Sequence, residues 1–171
     1  GGAGVRLTGA ALDAADTGAV TRSIDGVDAV MSCAPYWLNA ELAACAIAVG
    51  AHFNDLGGNT AVVRATLALH EQALAAGVSI VPDCGLAPGL VNTLGAAGIG
   101  RLARCDRVEL RCGGLPQHPQ GPLDYQVSFS ISGLTNEYTG DCLVLRGGEL
   151  TTVPALEERE EVAFEGLPPL E

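Results

Sequence analysis

Lysine is absent from this 171-residue chain, and all nine of its basic residues are arginine. Without lysine, neither a Schiff base nor a lysine general base can form within the chain. The net charge of -11 disfavours nucleic acids and anionic membranes as partners, because it repels phosphate. Aromatic residues make up only 4% of the chain, but 48% of its residues are hydrophobic, which is enough to bury a core.

The 6 cysteines form no C-x-x-C pair, and no apolar stretch approaches the length of a membrane span. Scattered thiols such as Cys45, in an alanine-rich segment, are typical of a reducing compartment. We therefore expect a cytoplasmic protein without a metal site. Residues 1–10 contain neither a starting Met nor the basic head of a signal peptide, which predicts a fragment that begins within a domain.

Short apolar runs alternate with helical patterns over residues 1–104. Residues 27–33, 52–56 and 78–83 have the length and composition of strands, and residues 10–13 are interpreted as an earlier strand of the same sheet. Strands that alternate with helices predict right-handed crossovers and a parallel sheet. The first part is therefore predicted to be a doubly wound α/β domain.

Capping residues mark the ends of the predicted helices. Asn39 and Thr60 are candidate N-caps, Gly77 is a C-terminal stop, and Pro88 suits the first turn of a third helix. The apolar side chains expected to face inward are Val63, Leu67 and Leu74 in the second helix and Leu90, Leu94 and Ala97 in the third.

Residues 105–171 have a different pattern and hold 12 of the 20 acidic residues. Apolar and polar residues alternate over 108–112 and, without a fault, over 125–132, which predicts two half-buried strands. Residues 143–153 are predicted to fold back at Gly147 and Gly148 as a hairpin. The second domain is therefore expected to be α+β with a largely antiparallel sheet.

Three predicted strand ends combine small residues with polar groups: CAPY at 33–36, NDLGGN at 54–59 and DCGLAPG at 83–89. Ligands of open α/β sheets bind outside the carboxyl ends of the strands, so these loops are candidate site segments. Ordinary turns are the alternative, since glycine and proline punctuate loops anyway.

The glycine-rich turn G-x-G-x-x-G, which admits a pyrophosphate to a helix N-terminus, does not occur after a predicted strand. Residues 1–4 (GGAG) lack both the preceding strand and the third glycine, so we assign them no phosphate role. This is a second indication of a fragment.

Several strings carry a resemblance to a known family: DLGGN, DCGLAPGLVNTL, PLDYQVSFSISGLTNEYTG and ELTTVPALEEREEVAFEG. They resemble lysine 6-dehydrogenases and their relatives in the saccharopine dehydrogenase-like family, from about residue 8 to the end. The resemblance implies a partial Rossmann domain over 1–104 and the start of a mixed-sheet substrate and dimerisation domain over 105–171. It also implies NAD or NADP as cofactor, a small amino acid substrate and a homodimer of the full-length protein.

The strand ends and the resemblance together indicate candidate residues for three roles. Asp83, Cys84 and Asp55 are the catalytic candidates. The cofactor-binding candidates are Asp13, Ala34, Pro35, Tyr36, Leu56 and Gly57. The alternative for Asp13 is a helix-capping or loop carboxylate, and the alternative for Tyr36 is a packing aromatic residue. The substrate-binding candidates are Asn92, Glu137 and Tyr138.

Asp55 and Asp83 follow neighbouring predicted strands. Such a pair can divide into an ionised base and a protonated partner, as amine oxidation needs, although both residues could instead only cap helices. Cys84 precedes a predicted helix whose dipole favours a thiolate, and an ordinary partly buried thiol is the alternative.

The resemblance implies an NAD(P)-dependent oxidoreductase acting on a CH–NH group, specifically lysine 6-dehydrogenase. Saccharopine or a polyamine derivative is the alternative substrate. A semialdehyde dehydrogenase that forms a thioester on Cys84 is an alternative of another class, and a fragment that only folds or dimerises is a third. By itself the fragment is expected to be inactive.

Overall fold

The computed structural model describes residues 4, 6–114, 116–118, 120, 125–127, 130–167 and 169–170. These residues form helices α1 (Thr17–Ser23), α2 (Asn39–Ala48), α3 (Thr60–Leu67), α4 (His70–Ala76), α5 (Leu90–Ile99) and α6 (Ile131–Glu137). The strands are β1 (Ala29–Ser32), β2 (His52–Asp55), β3 (Ile80–Val81), β4 (Asp141–Arg146) and β5 (Glu149–Pro154). The chain divides into two compact units, Gly1–Gly114 and Leu115–Glu171.

The first unit is built on a parallel sheet in the order β1-β2-β3. Ser32 pairs with Asp55, and Asn54 pairs with Val81, so the strands end at the same edge. The predicted fold class and the three parallel strands are confirmed. The predicted strand over 10–13 is wrong, because Asp13 lies in a turn where its carboxylate accepts the N–H of Ala15.

The core of the first unit lies where α1 and α2 meet the sheet. Ala43 and Ala46 of α2 are fully buried, and Phe53 of β2 is the large side chain beneath them. Two alanines on one helical face let the helix axis come close to the sheet, so Phe53 fills the space between the layers.

Helix ends differ by a residue or two from the sequence predictions. Asn39 is no cap, because it lies within the first turn of α2 and its amide is turned toward β1. Asn59, not Thr60, caps α3 and accepts the N–H of Ala61 and Val62. The single helix predicted up to Gly77 is two helices, although Gly77 does end α4 with a φ of 69°.

The inward faces of the later helices were predicted wrongly. Thr66 and Ala73 are the buried residues of α3 and α4, whereas Leu67 and Leu74 are exposed. Each buried residue comes one position before the predicted leucine, so the face that packs inward is rotated by about one residue from the predicted face. Val63 is half-buried. In α5, which begins at Leu90 and not at Pro88, the predicted inward residues Leu90, Leu94 and Ala97 are all exposed.

The predicted strand over 108–112 is also wrong, because these residues form no ladder with another segment. Leu110 packs against α5 instead: a Cβ added at Gly95 would lie 2.8 Å from its side chain. Residues 105–114 belong to the first unit.

In the second unit the predicted hairpin is confirmed. β4 and β5 pair in antiparallel register from Asp141–Pro154 to Arg146–Glu149, and Gly147 and Gly148 both have positive φ at the turn.

The strand predicted over 125–132 is wrong where the structure describes it. Residues 125–127 have no regular structure, and residues 128 and 129 lie outside the described residues. Ser130 is the N-cap of α6, which contains residues 131 and 132. The Ser130 hydroxyl accepts the N–H of Gly133, so this serine caps α6 and does not line a sheet face. The alternation of apolar and polar residues therefore does not produce a strand at Ser130, where the side chain caps a helix instead.

In the part of the chain that the structure describes, no helix has the length and apolarity needed to cross a bilayer. The same residues contain no cluster of three or more metal-ligating side chains.

Candidate active site

Asp55 closes β2 and is almost fully buried, with 2% of its surface exposed. Its Oδ1 accepts the backbone N–H of Gly57 at 2.7 Å and of Asp83 at 3.2 Å. Its carbonyl oxygen accepts the N–H of Cys84 at 2.7 Å. Asp55 therefore joins the end of its own strand to the loop after β3 through both its main chain and its side chain.

Asp83 follows β3 with a φ of 60°, a left-handed conformation that is uncommon outside glycine. Within the described part of the chain, its Oδ1 is buried and has no hydrogen-bond partner. Burial raises the pKa of the Asp83 carboxyl above its ordinary value, and the charge of Asp55 raises it further. Such a group keeps its proton to a higher pH and is a stronger base once ionised.

Glycines let the two strand ends approach each other. A Cβ at Gly57 would overlap Asp83 Oδ1 and lie 2.9 Å from Pro88 Cγ. A Cβ at Gly85 would lie 2.5 Å from the carbonyl oxygen of Leu56. The space that these glycines leave is thus filled by the neighbouring loop, and a function of Leu56 and Gly57 in cofactor binding stays a prediction.

An open groove of about 510 Å³ lies beside this junction. It is lined by Val81, Pro82, Asp83, Cys84, Gly85, Pro88, Gly89, Leu90, Asn92 and Thr93. The start of α5 forms one wall: Asn92 Oδ1 accepts the N–H of Gly89 at 3.0 Å, and the Thr93 hydroxyl donates to the carbonyl of Gly89 at 3.1 Å. The structure thereby brings three predicted site residues, Asp83, Cys84 and Asn92, to one groove.

The end of β1 is held by a pair that sequence reasoning missed. The buried Ser32 hydroxyl donates to Asn39 Oδ1 at 2.8 Å, and the N–H of Ala34 donates to Ser32 Oγ at 3.4 Å. A serine at the last position of a strand and an asparagine seven residues later in the next helix are the signal for this pair. It fixes the loop that carries the predicted cofactor residues Ala34 and Pro35.

Two aromatic rings follow this loop. Tyr36 lies against Gly58, where an added Cβ would be 3.0 Å from the Tyr36 Cβ. The Trp37 ring meets Tyr36 edge to face with centroids 5.3 Å apart, and Trp37 is half exposed. The ends of β1 and β2 are therefore in direct contact through Tyr36 and Gly58.

Residues 85–170 match the family model described as saccharopine dehydrogenase C-terminal domain, and residues 2–81 match the one described as saccharopine dehydrogenase NADP binding domain. The chain belongs to the saccharopine dehydrogenase family. The resemblance seen in the sequence is thus confirmed at the level of the family, and so is the cofactor class, NAD or NADP, through the NADP-binding domain.

This saccharopine dehydrogenase family member is similar to a plant protein in sequence and to a yeast protein in structure. Alpha-aminoadipic semialdehyde synthase of Arabidopsis thaliana is 29% identical over 128 residues, which cover 71% of this chain and 12% of the relative. The structure of apo histidine-tagged saccharopine dehydrogenase (L-Glu forming) from Saccharomyces cerevisiae matches with a TM-score of 0.60 and 21% identity. That match covers 84% of this chain and 33% of the yeast chain, and it shows a common fold.

The family resemblance predicts that the loops after β1 and β2 hold the nicotinamide half of such a cofactor. Gly58 is exposed, and the Tyr36 side chain fills the space beside its Cα, so the two loops are in contact there. Residues 1–3 and 5, where a phosphate turn would be sought, lie outside the described residues.

Three predicted site residues belong neither to the strand-end loops of the first unit nor to α5. Asp13 is exposed before α1, and its carboxylate is used by the N–H of Ala15. Glu137 and Tyr138 lie at the end of α6 in the second unit. Their binding functions stay predictions.

Cys84 is exposed and its thiol donates to the carbonyl oxygen of Val81 at 3.3 Å. Desolvation raises the pKa of the Cys84 thiol, and the charges of Asp55 and Asp83 raise it further. The interpretation as a helix-stabilised thiolate is wrong, because α5 begins only at Leu90 and the neighbouring charges are negative.

Cys84 is therefore expected to alkylate more slowly than free cysteine at neutral pH, although it is exposed. Because its pKa is raised, the pH at which its rate reaches half-maximum lies above that of free cysteine. Iodoacetamide labelling followed by peptide mapping measures this rate at each pH. Asp83→Asn removes one of the two negative charges and should move the profile to lower pH; Cys84 reacting first of all thiols at neutral pH would contradict the assignment.

Proposed function

We propose that this chain is the nicotinamide- and substrate-binding part of an NAD(P)-dependent oxidoreductase that acts on the CH–NH group of an amino acid. Its two family domains support this reaction class. Within the class we propose lysine 6-dehydrogenase activity, which converts lysine to aminoadipate semialdehyde and ammonia. The chain spans 12% of one relative and 33% of the other, so this activity is assigned to the complete protein.

The proposed substrate is inferred from the charge of the groove. Among the described residues that line it, Asp83 and Cys84 are ionisable and none is basic. Such a groove attracts an ammonium group and repels a carboxylate. Val81, Pro82 and Leu90 supply apolar contacts for an aliphatic stem, so the side chain of lysine suits both parts of the lining.

Asp83 acts as the base in this proposal. Its ionised carboxylate takes the proton that the substrate's ammonium group loses, and its raised pKa makes it a better proton acceptor. When bound, the nicotinamide supplies the hydride acceptor for the carbon that bears the nitrogen. The substrate is then an iminium cation. Water adds to its carbon and loses one proton to solvent. Protonated Asp83 returns its proton to the nitrogen, the C–N bond breaks, and the hydroxyl becomes the aldehyde carbonyl as its proton leaves with ammonia as ammonium.

Saccharopine is the second candidate substrate, because both family models carry its name. Its several carboxylates are disfavoured by a groove whose described lining contains no basic side chain. The thioester-forming class is disfavoured by the raised pKa of Cys84. It also needs a histidine base, and His52 lies at the opposite end of β2, with its Nδ1 accepting the N–H of Ser79 at 2.9 Å.

The experiment is a substrate comparison with the complete protein that contains this chain. Lysine with NAD or NADP is expected to raise the absorbance of reduced nicotinamide and to release ammonia in equal amount. Norleucine, which lacks the side-chain amine, is the matched control and should be inert. Turnover of saccharopine but not of lysine would support the second candidate, and failure of both would contradict the proposal.

We also propose that the complete protein is a cytoplasmic homodimer, as the family resemblance implies. Light scattering of the complete protein tests the dimer. The interface is not assigned to a sheet face that carries Ser130, because this residue caps α6.

A further inference from the structure

The Asp55 carboxylate is placed where it cannot meet a substrate. It is 2% exposed and is not among the residues that line the groove. Both hydrogen bonds of its Oδ1 go to backbone N–H groups, those of Gly57 and Asp83. These two amide bonds tie the Asp55 carboxylate to the main chain of both loops.

We propose that Asp55 is a positioning residue whose buried carboxylate joins the loops after β2 and β3 and thereby holds the Asp83 carboxyl against Gly57. The proposal rests on the function proposed above, in which Asp83 is the base. The bond from Asp83 N–H fixes the main chain of a residue with a φ of 60°. The bond from Gly57 N–H brings up the glycine whose missing side chain leaves room for Asp83 Oδ1.

The same carboxylate acts on Asp83 electrostatically. Among the described residues, the titratable groups that interact with Asp83 are Asp55 at the end of β2 and Cys84 in its own loop. Asn92 and Thr93 of α5 line the same groove and are uncharged. The charge of Asp55 adds to the burial that raises the pKa of Asp83. Asp55 thus helps to hold the proposed base in place and adds to the effect of burial on the pKa of its carboxyl.

Two variants separate these effects. Asp55→Asn keeps an oxygen that can accept both N–H groups but removes the charge, so the loops stay joined. Asp55→Ala removes both bonds and the charge. Asp25→Asn, on the exposed surface of the same unit, is the matched control for loss of one charge.

Carboxyl carbon NMR of this chain follows the titration of Asp83, which Asp83→Asn assigns by loss of its signal. Asp55→Asn is expected to shift the titration midpoint of Asp83 to lower pH and to leave the amide proton shifts of Gly57 and Asp83 near their wild-type values. Asp55→Ala is expected to change both amide shifts, and Asp25→Asn should change neither quantity. An Asp83 midpoint that is equal in the wild-type chain and Asp55→Asn would overturn the electrostatic part.

A measurement on the wild-type chain covers the case in which the variants do not fold. Couplings through the hydrogen bonds, from the amide nitrogens of Gly57 and Asp83 to the Asp55 carboxyl carbon, are expected. Absence of both couplings would overturn the positioning part.

Kinetics of the complete protein give the functional readout. Asp55→Ala is expected to lower kcat about a hundredfold, as a displacement of about 1 Å of a catalytic group does. Asp55→Asn should recover most of that loss and move the acid limb of the kcat/KM profile to lower pH. Equal losses in the two variants, with an unmoved acid limb, would overturn the proposal. The NMR measurements require no turnover, so they test the role of Asp55 independently of the proposed reaction.

Discussion

Gly57→Ala is expected to abolish nearly all activity of the complete protein. The new methyl group would overlap Asp83 Oδ1 and crowd Pro88, so the Asp83 carboxyl must leave its position. The φ of 80° adds about 1–2 kcal/mol of backbone strain, and overpacking adds about 1–3 kcal/mol. A loss in kcat/KM on the order of 10²-fold or more follows from displacement of the base. Steady-state kinetics and thermal unfolding measure the two effects.

Gly50→Ala is the matched control. Gly50 has nearly the same conformation, with a φ of 73°, but a Cβ there would meet nothing within 4 Å. The control should therefore lose only about 1–2 kcal/mol of stability and keep its activity. If the two variants have the same activity, contact between Gly57 and Asp83 does not matter for the reaction.

Asp83→Asn is expected to lower kcat by about 10²–10⁴-fold while KM changes little, since it removes a base that acts in the transition state. Asparagine has nearly the same shape and tolerates a positive φ, so the loop should persist. A loss confined to KM would instead assign Asp83 to substrate positioning. Asp25→Asn, on the exposed surface, is the control for charge.

The same variant is expected to be more stable than the wild-type chain at neutral pH. The pKa of Asp83 is raised on folding, so the folded state binds the proton more tightly. The protonated Asp83 carboxyl therefore adds to the free energy of unfolding at low pH. This contribution is lost as the pH rises from the ordinary aspartate pKa, about 3.9, through the pKa of the folded state. Asparagine avoids this loss, so the unfolding temperatures should converge in acid and separate at neutral pH. Equal unfolding temperatures of the wild-type chain and Asp83→Asn at both pH values would show that ionised Asp83 does not destabilise the folded state.

Much of the architecture could be predicted from local signals. The three strands of the parallel sheet, the stop at Gly77 and the hairpin turn at Gly147 and Gly148 follow from composition, spacing and backbone preference. The segment 125–132 shows the limit of such signals. Its alternation is typical of a strand, yet Ser130 caps a helix, because one hydroxyl-to-amide bond at a helix start competes with any periodic pattern.

The sequence by itself determined the family, the class of fold and the strand ends at which polar and small residues collect. Only the tertiary structure decided what these residues do there. Asp55 and Asp83 are 28 positions apart, and no local rule states that one is buried against amides while the other lines a groove. That division depends on the register of β2 with β3 and on a glycine that leaves room for a carboxyl, which are contacts between distant segments. The pKa of Asp83 depends on these contacts too, because burial and a neighbouring charge are properties of the folded chain.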